Sequence, residues 1–331
     1  MCHIAPQKGA KRVMEYLFIV GLPRTGTKLM RDVLSSSRGV ACHISPETWF
    51  FGDRYRGGLR DKLGAFDLKS RSGVEKLADY IQSGKHKGSY SRWMGAQGGE
   101  GEESKVRRTL FVESALQSDR TDRGIYEAMM LAFARSYSSW EAHTCQAIGD
   151  KTPGHLYYVP TIVEWFPSAK IIHTFRDPRA VLASQLLRIA ERRPGAPQRK
   201  HGMSGPVANK LLFTKFSVLL YVTLTWRKAA YLHARYQHAY PGNYLLCRYE
   251  DLVLAPERQV KVLSSFLGMP IDMAMLRPRL RGSSFIRDSD KKGFDSEATE
   301  RWKIYLPHWM RVWALATLGP AMRRHGYRMN S

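Results

Sequence analysis

Apolar positions along the chain fall into short continuous runs that alternate with stretches of helical spacing. Leu17-Phe18-Ile19-Val20 is a run closed by Gly21, and Leu29, Met30, Val33 and Leu34 follow at three- and four-residue intervals. That pattern predicts strand, turn and helix. A strand is predicted around Ala147 to Gly149. Beyond it the pattern gives a helix over Tyr157 to Phe166, a break at Pro167, a strand over Lys170 to Phe175 and a helix over Pro178 to Leu187. Leu211 to Tyr240 reads as one long helix, Tyr244 to Cys247 as a strand, and Pro256 to Leu267 as a helix stopped by Gly268. Between these units, Tyr126 to Trp140 has helical periodicity. Gly84 to Gly101, with six glycines, reads as a mobile excursion, and Arg192 to Lys210 as a basic loop. Strands alternating with helices predict an α/β fold, a central parallel sheet flanked by helices on both faces.

Composition fits a folded α/β protein: 331 residues, 44% hydrophobic and 24% charged, which excludes a disordered chain. Lys and Arg number 52 against 29 Asp and Glu, a formal charge of +23. That excess points to phosphate, sulfate, polyanions or an acidic membrane surface as partners. Cys2, Cys42, Cys145 and Cys247 are widely spaced, without a CxxC or a His cluster at metal spacing. No metal site is expected, and a reducing compartment is. Glu15 interrupts the first apolar run, and Phe216 to Trp226 is about half the ~20 residues a membrane span requires. A soluble, cytoplasmic protein is expected.

Candidate chemistry begins at Gly21-Leu22-Pro23-Arg24-Thr25-Gly26-Thr27-Lys28, between the first strand and its helix. Glycines let backbone N–H groups turn toward an anion, the helix start adds its positive end, and Arg24 and Lys28 add full charges. Thr27-Lys28 stands where a P-loop has Lys followed by Ser or Thr, so Leu29 replaces the magnesium-binding hydroxyl. Such a loop handles an anion without a metal bridge. A second anion pocket is predicted where the strand ending at Phe175 runs into Arg176-Asp177-Pro178, with Ser184 two helical turns on and Arg188 one turn further. Two anion pockets at the carboxyl ends of neighbouring strands suit a nucleotide phosphorylated at both ends.

Taken together, these motifs resemble the sulfotransferases that use 3′-phosphoadenosine 5′-phosphosulfate (PAPS). Leu22-Pro23-Arg24-Thr25-Gly26-Thr27 is similar to that family's 5′-phosphosulfate loop, and Arg176-Asp177-Pro178 with Ser184 to its 3′-phosphate motif. Gly149-Asp150-Lys151-Thr152-Pro153 resembles its short lysine motif. Arg248-Tyr249-Glu250-Asp251-Leu252 resembles the block whose tyrosine lies near adenine. Ser283-Ser284-Phe285, Lys291-Lys292-Gly293 and Arg301-Trp302-Lys303 resemble the region that closes over the cofactor, with Ser283, Ser284 and Ser289 all open as the serine that faces the nucleotide. The resemblance implies a P-loop-kinase-like sulfotransferase fold in one domain over residues 1–331. It also implies a helical, loop-rich acceptor-side insertion at about 50–145 and a closing region at about 280–331. The bacterial-type, tyrosylprotein-sulfotransferase-like branch is the nearest fit.

The activity so implied is metal-independent, in-line transfer of a sulfuryl group from PAPS to a hydroxyl of a carbohydrate, lipid or small molecule, leaving 3′-phosphoadenosine 5′-phosphate. Charge grows on the departing phosphate oxygen, so a fixed cation belongs there, Arg24 first and Lys151 second. Glu47, followed by Thr48, is the candidate base by resemblance; as an isolated carboxylate beside Pro46 it reads equally as a helix-start residue. His173, inside an apolar strand, is expected to be buried and satisfied, and His155 to sit in a helix's first turn. The Gly84–Gly101 segment and the basic loop from Arg188 are the expected acceptor walls, and that loop would concentrate an anionic polysaccharide or lipid. Trp302, Trp309 and Trp313 among Arg301, Lys303 and Arg311 fit either a core helix or an interfacial one in peripheral contact with a membrane. Two readings of other classes remain: a P-loop small-molecule kinase, and a basic nucleic-acid-binding protein, although no recognisable nucleic-acid module is present.

Overall fold

The computed structural model describes residues 15–37, 43–45, 47–52, 57–86, 89–95, 101–136, 147–191, 206–278 and 292–329. Five strands form one sheet: β1 (Glu15–Gly21), β2 (His43–Ser45), β3 (Ala147–Asp150), β4 (Lys170–Phe175) and β5 (Tyr244–Arg248), in the order β2-β3-β1-β4-β5. Every pairing is parallel, with Leu17 opposite Gly149 on one side of β1 and opposite Lys170 on the other. Alternation along β1 shows why both sheet faces must be covered. Phe18 and Val20 belong to one buried apolar cluster, and Leu17 and Ile19 to another.

Helices supply both covers. α1 (Thr27–Ser35) contributes Met30, Val33 and Leu34 to the second cluster. The first cluster is covered by α2 (Arg71–Gln82), α4 (Glu102–Gln117), α5 (Asp122–Arg135) and α6 (Val159–Trp165), with the short α3 (Ser89–Trp93) between α2 and α4. α7 (Pro178–Glu191) and the 34-residue α8 (Pro206–Ala239) pack on each other. α9 (Tyr249–Leu254) and α10 (Pro256–Leu267) follow β5, and α10 ends at Gly268, whose φ of 65° makes a left-handed stop. α11 (Trp302–Tyr305) and α12 (His308–Arg324) complete the chain.

The predicted α/β architecture is present, with five differences of detail. The three-residue strand β2 lies at the sheet edge and is too short to stand out as an apolar run. The stretch predicted as one helix over Tyr157 to Phe166 is a 3₁₀ turn over Pro153–Tyr158 leading into α6. The helix predicted over Tyr126 to Trp140 is shifted to Asp122–Arg135, because Thr121 caps it by accepting from Gly124 N–H. Within the expected glycine-rich excursion, residues 89–93 form the short helix α3. The basic loop was expected to reach Lys210, yet α8 already begins at Pro206; residues 192–205 lie outside the described residues.

Candidate active site

β1 ends against a crowded backbone. A Cβ on Gly21 would stand 2.6 Å from the carbonyl oxygen of Thr174 on β4. The loop that follows is tied down by Thr25, whose hydroxyl donates to Leu22 O at 2.7 Å and meets the Thr174 hydroxyl at 2.9 Å. Arg24 holds a left-handed φ of 76°, a costly conformation for a residue with a side chain. Gly26, at φ 96°, precedes α1, and no side-chain cap or acidic residue occupies that helix's first turn. Its N–H groups and positive end therefore lie next to Arg24 in the chain, and Lys28, in its first turn, is half-buried.

The second motif closes onto the first. Arg176, at the exit of β4, donates from Nη1 to Arg24 O at 3.2 Å and from Nη2 to Ala298 O at 2.8 Å. Its guanidinium lies 4.0 Å over the Tyr249 ring. That ring rests on Gly26, where an added Cβ would come within 2.6 Å of Tyr249 Cδ2. Burial raises the Tyr249 hydroxyl above its usual pKa, partly countered by Arg176. Arg24 Nε in turn donates to Ser184 Oγ at 2.7 Å, across 160 residues of sequence. Ser184, expected with Arg176 in the second pocket, also bonds Arg24, so the two predicted basic groups adjoin.

Other predicted residues divide into three groups. Asp177 is a clamp: it accepts from Arg179 Nε and Nη2 (2.7 Å for the latter), and its own N–H donates to Glu250 Oε1 at 3.0 Å. Burial raises the Glu250 carboxyl above the usual range. Trp302, expected at the cofactor, is buried with Ala180, Leu219 and Met310, its ring 3.9 Å beneath the Arg179 guanidinium. Arg301 pairs with Asp295 at 2.7 Å, Lys292 is exposed, and Gly293 takes φ 103°. Arg188 is exposed one turn beyond the buried Ser184 on α7. Ser283, Ser284 and Ser289 lie outside the described residues, as do Cys2, Cys42 and Cys145.

A third group converges from β3. Lys151 Nζ lies 2.6 Å from Glu47 Oε1, and Trp49 Nε1 donates to Glu47 Oε2 at 3.1 Å. Glu47 belongs to no helix, contrary to the helix-start reading. Its backbone N–H donates to Ser89 Oγ at 3.2 Å and its carbonyl accepts from Tyr90 N–H at 3.1 Å, both on α3.

Beneath this pair is a carboxylate that motif reading left without a role. Asp150 is fully buried and accepts from the hydroxyls of Thr48 (2.7 Å), Thr152 (2.7 Å) and Tyr126 (2.9 Å). His155 Nδ1 stands 3.2 Å away. Burial pushes the Asp150 carboxyl up, but His155 and the hydroxyls more than offset it and hold it below the ordinary carboxylate range. Thr48 N–H also donates to Thr152 Oγ1 at 2.9 Å. Asp150 therefore locks the segment bearing Glu47 to the segment bearing Lys151. The sequence signal was a threonine following each key residue, Thr48 after Glu47 and Thr152 after Lys151. His173 is buried as expected, with Nδ1 2.5 Å from the Tyr244 hydroxyl; its Nε2 has no partner among the described residues.

Arg24, Lys151, Arg176 and Tyr249 thus leave the carboxyl ends of β1, β3, β4 and β5 on one edge of the sheet, the crevice where open α/β sheets bind ligands. Among the described residues, no group of three or more His, Cys, Asp or Glu is arranged to hold a metal ion. The fold is shared with known proteins. The structure aligns with the sulfotransferase domain of the Synechococcus PCC 7002 olefin synthase at TM-score 0.54 and 19% identity, covering 98% of this chain and 99% of that one. It aligns with the sulfotransferase domain of the curacin biosynthetic pathway at TM-score 0.53 and 15% identity, covering 96% of this chain and 100% of that one. At these identities the likeness is one of fold.

In sequence, the chain is 32% identical over 179 residues to the omega-hydroxy-beta-dihydromenaquinone-9 sulfotransferase Stf3 of Mycobacterium bovis, over 54% of this chain and 40% of that protein. It is 27% identical over 168 residues to mouse carbohydrate sulfotransferase 3, over 48% of this chain and 34% of that protein. The match therefore spans about a third to two fifths of these relatives' length. The sulfotransferase family model covers residues 17–273, from β1 through α10 to the turn beyond, and includes Arg24, Glu47, Lys151, Arg176, Ser184 and Tyr249. With the family's model running through every motif that meets at the sheet edge, this chain belongs to the sulfotransferase family.

Proposed function

We propose that the protein transfers a sulfuryl group from PAPS to a hydroxyl of a carbohydrate, lipid or small-molecule acceptor, without a divalent ion. The observation that carries this reading is the meeting of Lys151 with Glu47 on the same sheet edge as Arg24 and Arg176. Cations for the donor and a carboxylate for the acceptor stand side by side.

The residues fit a nucleotide phosphorylated at both ends. Gly26 lets the Tyr249 ring pack directly on the loop, the start of α1 carries no side-chain cap, and the buried Nε of Arg176 has no partner among the described residues. Arg24, Lys28 and the α1 N–H groups would take the 5′ side. Arg176 and Ser184 would take the 3′-phosphate, and Tyr249 the adenine. Ser184 already orients Arg24, so filling one side sets the other. The closing part would come from Lys292, Gly293, Arg301 and Trp302, with Ser283, Ser284 or Ser289 as the serine.

In the reaction, the bond from the acceptor oxygen to sulfur forms as the bond from sulfur to the bridging phosphate oxygen breaks. Arg24 and Lys151 offset the charge that collects on the departing phosphate, the part magnesium plays in a kinase. Glu47 takes the acceptor proton, oriented by Trp49 Nε1 and by its ion pair. Asp150 holds the two segments in register. On the acceptor side, α3 is joined to the Glu47 backbone through Ser89 and Tyr90, which makes it the wall next to the base. The test is incubation with labelled PAPS and a panel of hydroxylated acceptors in EDTA, read by mass spectrometry. Transfer should persist in EDTA and vanish in Arg24→Ala. Loss of transfer on chelation would overturn the metal-free reading.

A further inference from the structure

α8 turns one side to the protein and leaves the other open. Leu219, Val222 and Trp226 are buried, but Phe213 is 74% exposed, and Phe216, Leu220, Tyr221 and Leu224 are exposed as well. Positions 213, 216, 220 and 224 recur at three- and four-residue spacing and so share one face. The stripe continues onto α12: Phe216 packs edge-on against Trp313, ring centroids 6.2 Å apart, and beside it Trp309 and Val312 are exposed. An apolar surface of this extent on two adjoining helices marks a contact face.

Charge decides what it contacts. α8 carries Lys215, Arg227, Lys228 and Arg235, α12 carries Arg311, Arg323 and Arg324, and neither helix contains an Asp or Glu. A second copy docked on this face would oppose two wholly cationic surfaces, so self-association is disfavoured. An anionic bilayer satisfies both properties. Phe, Leu and Trp side chains seat at the acyl boundary while Lys and Arg reach the headgroups. Among the described residues no helix is long and apolar enough to cross a membrane, so the helices would lie on the surface. We propose that the outer face of α8 and α12 docks the protein on anionic lipid membranes. The buried side of α8 packs on Ala180 to Ala183 of α7, the helix that bears Ser184, so the docked face lies one helix layer behind the candidate site.

The test is co-sedimentation of the full chain with phosphatidylcholine vesicles, with and without phosphatidylglycerol, at low and high salt. Wild type should sediment with the phosphatidylglycerol vesicles, and high salt should release much of it. The variant Phe213→Ser/Leu220→Ser changes two exposed side chains, so the fold should stand, and it should lower partitioning about tenfold or more. Reversing charge with Lys215→Glu/Arg311→Glu should abolish the preference for phosphatidylglycerol. Donor binding by calorimetry should be unchanged in both variants. Absence of vesicle binding, binding indifferent to the variants, or a concentration-dependent dimer that the Phe213→Ser/Leu220→Ser variant dissolves would overturn the proposal. Vesicle binding is read without sulfuryl transfer, so its outcome is independent of the proposed activity.

Discussion

Lys151 and Glu47 stand 104 residues apart in the chain and 2.6 Å apart in space. The contact joins the exit of β3 to a segment with no regular structure, and it is rigid because Asp150 grips both sides through Thr48 and Thr152. A carboxylate and a cation held in contact in this way are what the proposed in-line transfer to a hydroxyl would ask of a protein.

Replacing Glu47 with Gln keeps the size of the side chain and removes the proton acceptor. Turnover should fall by about 10²–10⁴-fold, while affinity for 3′-phosphoadenosine 5′-phosphate stays within about twofold. Steady-state kinetics and calorimetry on the same preparation check this. Full activity in Glu47→Gln would remove Glu47 as the base.

Gly26→Ala should damage the loop for two reasons. Its φ is 96°, and the new Cβ would sit 2.6 Å from Tyr249 Cδ2. A loss of about 1–3 kcal/mol in stability is expected, together with weakened nucleotide binding as Tyr249 is displaced. Gly64→Ala, where an added Cβ meets nothing within 4 Å, is the control and should change neither. Thermal denaturation and calorimetry read the two effects.

Both substitutions touch residues that sequence motifs had marked, yet much around them was not legible. β1, β4 and β5 were, because each is an apolar run beside a glycine, a proline or an arginine. β2 has three residues and lies at the edge, so no run announces it. Arg24 and Ser184 were each recognised, but their bond was not, because it spans 160 residues. Asp150 passed unmarked since its partners Thr48 and Tyr126 come from 102 and 24 residues away. Trp302 was read as a cofactor residue from its neighbours in sequence, and only packing shows it beneath Arg179.

Acid should destabilise the fold through three histidines between β4, β5, α8 and the end of α12. His173 and His233 pack on Tyr244, and His325 packs on His233 with the two rings 5.3 Å apart. Burial lowers all three pKa values, that of His233 to about 4, and neighbouring cationic or histidine side chains lower them further. The unfolded chain takes up protons below about pH 6.5 while the folded one does not. Stability is therefore complete above that pH and falls as pH drops toward 4. Melting temperature against pH should show the decline, and His173→Gln should flatten it. An unchanged slope in that variant would assign the acid sensitivity elsewhere.

The account rests most heavily on one nucleotide gripped at both ends, and calorimetry in EDTA tests that directly. Wild type should bind 3′-phosphoadenosine 5′-phosphate about 10²-fold more tightly than the same nucleotide without its 3′-phosphate, the worth of about 3 kcal/mol of charge-assisted bonding. Arg176→Ala should lose that discrimination and bind the two alike. Undiminished preference for the 3′-phosphate in Arg176→Ala, or no binding in EDTA while a parallel titration without EDTA shows binding of magnesium ATP, would contradict it.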